Sequence, residues 1–167
     1  MSTASPPTTL ESATTFVKSY GAAIGLTQRP NVTAQEIAVA LVRHYGPLFT
    51  AYDHGYTIAA PANEPDFWLK GVTTHLQRFQ KSGLGWDMEL SNFRIEVTSE
   101  STAKCHVTWS ISPARGEGWA WTNVYEWKDE GAGIEADGLR GAFESVVSDD
   151  ETEKLLQRVP GFIEIEV

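Results

Sequence analysis

A single cysteine, Cys105, stands among 167 residues, so neither an intramolecular disulfide nor a multi-cysteine metal site can form, and a reducing compartment fits. Histidine is sparse too. None of the four has a second histidine at the i, i+4 spacing that puts two metal ligands on one helix face, and no metal is expected. No apolar run approaches membrane-spanning length, and the opening stretch, rich in Ser, Thr and Pro, lacks the basic and apolar regions of a secretory leader. A cytoplasmic protein without a membrane partner is expected, in which the sequon Asn31-Val32-Thr33 has no meaning. Positive charge is short: the net charge is −9, and positions 129–167 carry eleven acids against Arg140, Lys154 and Arg158. Phosphate backbones would be repelled there, so nucleic acid is not an expected partner. Gly83-x-Gly85 and Gly131-x-Gly133 lack the rest of a phosphate-binding fingerprint and read as turns, and there is no nucleophile elbow. Cys105 lies mid-strand with no adjacent His, where a buried inert thiol is expected.

Aromatic surface, by contrast, is plentiful. Trp119, Trp121, Asn123, Tyr125 and Trp127 alternate along one stretch and therefore share one face of an extended strand. Four such rings can bury ~150 to 250 Å² each, and the amide among them needs hydrogen-bond partners if it is dry. A pocket lining meets both demands, and so does a sheet packed under helices with Asn123 bonded to neighbouring backbone.

Hydrophobic residues make up 41%, a globular composition, and the length suits one core. Residues 1–9 read as a flexible N-terminus and 10–167 as a single domain. Ala13, Phe16, Val17, Tyr20 and Ile24 share a helix face that Gly25 ends. Thr33 and Glu36 make a capping box for a second helix, with Ile37, Leu41, His44, Tyr45 and Leu48 at helical spacing until Gly46-Pro47. Phe49 to Ala60 reads as a hairpin around Asp53-His54-Gly55-Tyr56. Pro65 suits the first turn of a third helix, with Leu69, Val72, Leu76 and Phe79 inward until Ser82-Gly83-Leu84-Gly85. Alternation then predicts strands through Phe93–Val97, Cys105–Ile111, the aromatic stretch and Ala142–Val147. Ser148 and Glu151 form a second capping box before a short C-terminal helix ended by Pro160-Gly161. Helices first and an antiparallel meander afterwards is an α+β pattern with no parallel βαβ unit.

This element order, together with Ser82-Gly83-Leu84-Gly85, Thr108-Trp109 and Gly118-Trp119-x-Trp121-x-Asn123-x-Tyr125, resembles the nuclear transport factor 2-like superfamily. Within it the resemblance is to the SnoaL-like branch of polyketide cyclases and scytalone dehydratase, and to uncharacterised fungal members. The resemblance covers roughly residues 10–148 and implies a cone-shaped, curved antiparallel sheet wrapped around N-terminal helices, with the ligand cavity inside. On that basis Tyr20, Tyr52, Trp68, Trp121, Asn123 and Tyr125 line the cavity and bind a planar hydrophobic, aromatic or polyketide-like molecule. Asp53 or His75 moves a proton in a cofactor-free isomerisation, cyclisation or dehydration, while Asn123 and Tyr52 stabilise an enolate oxygen. Asp is also a favoured first residue of a turn, which gives Asp53 a structural reading, and His75 has one in packing at an apolar edge. His44 and His106 read as structural or exposed. The superfamily also implies a homodimer through the outer face of the sheet, with Trp109 or Trp119 left exposed. A non-catalytic small-molecule-binding or dimerisation module is the alternative.

Overall fold

Two reciprocal caps start the first helices. In α1 (Thr9–Ile24) the Thr8 side chain accepts from the Glu11 backbone N–H while the Glu11 carboxylate accepts from that of Thr8. Thr33 and Glu36 repeat this at α2 (Ala34–Val42). The computed structural model describes residues 4–130 and 139–167, and Gly131-x-Gly133 lies outside the described residues. The first helix therefore begins a turn earlier than its apolar stripe indicates, and the second stops earlier, at Val42 rather than at Gly46-Pro47. Tyr45 instead opens β1 (Tyr45–Asp53), where it pairs with Phe143 of β6 (Ala142–Val147). Pro47 has no N–H for a ladder, and the β1/β6 register is irregular between Tyr45 and Thr50.

His54 and Gly55, at φ 47° and 82°, form the two-residue turn from β1 into β2 (Tyr56–Ala59). The third helix, α3 (Phe67–Ser82), follows Asp66, with Pro65 just outside it rather than in its first turn, and Gly83 ends it at φ 79°. Then come β3 (Asp87–Val97), β4 (Thr102–Ser112), β5 (Trp119–Lys128), β6, α4 (Asp149–Arg158) and a final 3₁₀ turn, Phe162–Glu164.

The six strands form one sheet in the order β2-β1-β6-β5-β4-β3. The expected antiparallel cone is not what forms. β1 and β6 pair in parallel, so the sheet is mixed, and it ends at two separate edges without strong curling or closure. Strands β3 to β6 alternate in direction, and β6 inserts between β5 and β1, where it runs the same way as β1. Local hairpin logic has no access to this pairing, because the two strands are joined through the rest of the domain. An extra residue at Ser91 shifts the β3/β4 register between Leu90 and Asn92. It moves the inward set from Met88 and Leu90 to Phe93 and Ile95.

All five alternate residues of β5 from Trp119 to Trp127 face inward, beside Cys105, Val107, Trp109 and Ile111 of β4. Trp109 and Trp119 are both buried, which corrects the expectation that one stays on the outer face. α1 lies across β3 and β4 so closely that a Cβ on Gly21 would sit 2.9 Å from the Leu90 Cβ. α2 packs on α3, and α4 packs on β5.

Candidate active site

The end of β6 builds the site. β6 pairs with β5 only as far as Val124, and beyond that point α4 takes its place along β5. The Asp150 carboxylate accepts from the Thr122 backbone N–H at 2.8 Å, and Lys154 Nζ donates to the Ala120 carbonyl at 2.9 Å. Docked in this way, the first turn of α4 directs Glu151 inward. The capping box expected from Ser148 and Glu151 does not form, since Ser148 makes no side-chain cap bond. Glu151 Oε2 instead lies 2.6 Å from His75 Nε2 of α3, and Oε1 accepts from Asn123 Nδ2 of β5 at 2.8 Å. Burial works against ionisation of Glu151, but the His75 hydrogen bond and charge and the Asn123 bond outweigh it and hold the carboxyl below its usual range.

The His75–Glu151 pair divides two cavities. Inside lies a chamber of about 140 Å³ between α1, α3 and the sheet, walled by Tyr20, Tyr45, Trp109, Trp121, Asn123 and Tyr125. Outside lies an apolar cleft of about 350 Å³, with Trp68, Leu155, Phe162 and Ile163 along its sides. Val72, His75, Ser148 and Glu151 line both. Tyr20 and Tyr45 share a hydrogen bond at 2.7 Å between their hydroxyls, and the Tyr20 ring meets that of Tyr125 edge-on. Burial raises the pKa of all three phenols, Tyr20 and Tyr45 far above the ordinary value and Tyr125 to about 12, with the Glu151 charge adding to the last. They are neutral donors at physiological pH.

Two buried polar atoms at this wall have no partner: Asn123 Oδ1 and Trp121 Nε1. Trp121 Nε1 lies near enough to Glu151 to help lower its pKa, yet makes no hydrogen bond.

The sequence-derived residues are thus distributed over three places. Tyr20, His75, Trp121, Asn123 and Tyr125 meet at the chamber. Trp68 and Asp53 lie with His75 on the outer cleft, where the Asp53 carboxylate bonds the His54 ring at 2.6 Å and accepts from the Thr152 hydroxyl. Tyr52 is on the opposite face of the sheet, beside Lys104 and His106 in a surface groove of about 760 Å³, and so cannot share an oxygen with Asn123. Alternation from Phe49 and Ala51, both buried, already points Tyr52 outward. Glu151, Tyr45 and Trp109 were not singled out. The helical period places Tyr45 on α2 and the capping-box spacing accounts for Glu151, while Trp109 follows the inward alternation of β4. Asp53, His54 and Asp149 each place one ligand-type atom within 4.8 Å of the others, a cluster that sequence spacing does not reveal. These groups bond one another: the Asp53 carboxylate the His54 ring, and the His54 backbone N–H the Asp149 carboxylate. His44 is buried, accepting from Ser19 and donating to the Leu41 carbonyl, and His106 faces Glu96 on the outer face at 3.6 Å.

No protein-family description matches the chain, and no curated protein matches it. Solved structures do. An NTF2-like protein of unknown function from Shewanella oneidensis superposes with a TM-score of 0.54 at 10% identity, covering 83% of this chain and 96% of that one. A domain of unknown function with a cystatin-like fold from Nostoc punctiforme gives 0.56 at 13% identity, over 97% and 90%. A candidate scytalone dehydratase from Novosphingobium aromaticivorans gives 0.50 at 11% identity, over 83% and 80%. At these identities the likeness is one of fold alone, shared with structures described as NTF2-like and cystatin-like.

Proposed function

We propose that this protein binds a small hydrophobic, aromatic or polyketide-like molecule across the chamber and cleft and catalyses proton transfer on it without a cofactor, in an isomerisation, cyclisation or dehydration. The observation that carries this reading is the partly buried Glu151 carboxylate, gripped by His75 and Asn123 at the boundary of the two cavities. In the form of His75 that carries one ring proton, with Nε2–H donated to Glu151, the free lone pair is on Nδ1, the arrangement of a general base oriented by a carboxylate. His75 Nδ1 takes a proton from a carbon next to a carbonyl, and Glu151 stabilises the imidazolium that results. The negative charge moves to the carbonyl oxygen, where the neutral Tyr125 phenol and whichever of Tyr20 and Tyr45 accepts in their mutual hydrogen bond can donate. Return of the proton to another carbon gives an isomer, while its transfer from the His75 imidazolium to a β-hydroxyl lets that group leave as water as the enolate collapses to the dehydrated product. Asp53, engaged by His54 and Thr152 at the cleft rim, orients the hairpin in this reading and leaves the chemistry to His75.

The test uses 2-tetralone in D₂O, with exchange of its α-protons followed by NMR. The protein is expected to accelerate exchange, and His75→Gln to abolish the acceleration while binding persists. Acceleration unchanged in the folded His75→Gln variant refutes the role.

The groove on the opposite face supports a further element, a homodimer. Leu48, Tyr52 and Val147 are exposed there among charges of both signs, including Lys104, Lys128, Glu126 and Glu144, a surface able to complement a second copy of itself. The same face favours the non-catalytic alternative, a small-molecule-binding or dimerisation module.

A further inference from the structure

Trp121 Nε1 and Asn123 Oδ1 are complementary: one is a hydrogen-bond donor and the other an acceptor. Both residues are only 4% exposed, lie two positions apart on the inward face of β5 and wall the same chamber. The Asn123 assignment is fixed by its other half, since Nδ2 donates to Glu151 and Oδ1 is left over. A buried donor or acceptor without a partner costs about 1–3 kcal/mol, so two of opposite kind on one cavity wall imply a guest that carries both functions. A hydroxyl is the smallest group that does. The chamber volume of about 140 Å³ is close to the ~150 Å³ at which an apolar cavity takes benzene, which limits the inner end of the guest to one six-membered ring. Tyr20, Tyr125 and Trp109 supply the ring edges and faces. Charge narrows the class further. No Lys or Arg is among the described residues that line the chamber, and Glu151 is held ionised at its mouth, so an anion is repelled.

We propose that the chamber seats a neutral, hydroxyl-bearing six-membered ring, whose hydroxyl accepts from Trp121 Nε1 and donates to Asn123 Oδ1. This rests on the chamber and cleft being one ligand site, and it names which end of the ligand lies deepest: the hydroxylated ring inside, the reacting carbon next to the carbonyl at His75, the remainder in the outer cleft.

The experiment is a titration of the full chain with phenol, toluene and benzoate, followed through the ¹⁵N–¹H signals of the tryptophan indoles. Phenol and toluene share a shape and differ in the hydroxyl, while benzoate adds a charge. Phenol is expected to move the Trp121 signal, identified by its loss in Trp121→Phe or by sequential assignment if that variant does not fold. Toluene is expected to bind at least tenfold more weakly and benzoate not to enter. Toluene binding as well as phenol, or a Trp121 signal unmoved at saturating phenol, overturns the proposal and leaves the two atoms to an ordered water. Because no turnover is measured, phenol selectivity can stand when His75→Gln retains exchange activity. It can also fail while His75 proves to be the base.

Discussion

Acid should weaken this fold through His44 well before most carboxylates are protonated. His44 is 2% exposed, its Nδ1–H donates to the Leu41 carbonyl, its Nε2 accepts from the Ser19 hydroxyl, and its ring meets Phe16 and Tyr20 edge-on. Burial, partly opposed by the Leu41 carbonyl and reinforced by the Arg43 charge, lowers its pKa from 6.5 to about 4. Above the unfolded value both states are neutral and His44 is indifferent to pH. Between 6.5 and about 4 the unfolded chain takes up a proton that the folded chain refuses, so stability falls as pH falls. Below that window both states are protonated and the loss levels off. At about 1.4 kcal/mol for each pH unit of that window, the gap between 6.5 and about 4 amounts to about 3.5 kcal/mol. Set against a typical total of about 5–15 kcal/mol, that is a large share. Urea unfolding from about pH 7.5 down to about pH 4.5 should therefore show a steeper decline for the natural protein than for His44→Gln, which has nothing to titrate there. The variant's own cost at neutral pH drops out, because only the change with pH is compared. Curves that stay parallel to within about 0.5 kcal/mol, the spread of ordinary surface substitutions, would refute the assignment of His44 as a neutral buried group.

Gly21→Ala should lower the melting temperature, since the new Cβ meets Leu90 Cδ2 at 2.7 Å and Leu90 Cβ at 2.9 Å, and overpacking of this kind costs about 1–3 kcal/mol. An unchanged melt would mean that α1 does not approach β3 this closely. The Cys105 thiol, pushed by burial to about 12, should resist thiol reagents in the native protein and react once it is denatured; stoichiometric labelling of the native state contradicts that. Light scattering should give a dimer mass, shifted toward monomer by Leu48→Lys at the outer groove, and a monomer mass for the natural protein across a wide concentration range rules the dimer out.

Much of the architecture was legible because it is local. Apolar spacing places α1 and α3 to within a turn, and alternation places β5 with all of its inward residues, whereas in β6 a register shift puts Phe143 and Val146, three apart, on the inward side. Where tertiary contacts decide, local patterns mislead. His44, Tyr45 and Leu48 continue the period of α2, yet the helix stops at Val42 because Tyr45 is drawn into a ladder with Phe143, nearly a hundred positions away. The parallel β1/β6 pair has the same origin, and with it the open sheet.

The candidate site divides along the same line. The aromatic wall and the amide within it follow from period two, whereas the partner of that amide does not. Ser148 and Glu151 carry the spacing of a capping box, and the choice between cap and core is made by β5. Asp150 and Lys154 tie the start of α4 to the backbone at Thr122 and Ala120, which turns the third residue of the helix toward Asn123 and His75. The lost cap bond costs about 1 kcal/mol, and two charge-assisted hydrogen bonds, each worth about 1.5–3 kcal/mol, more than offset it. The partly positive helix N-terminus then stabilises a carboxylate in that turn. The C-terminal helix, which lies beyond residues 10–148 that the family resemblance covers, thereby supplies the charge on which the proposed proton transfer depends: without α4 docked on β5, His75 would face the chamber with no carboxylate to orient it.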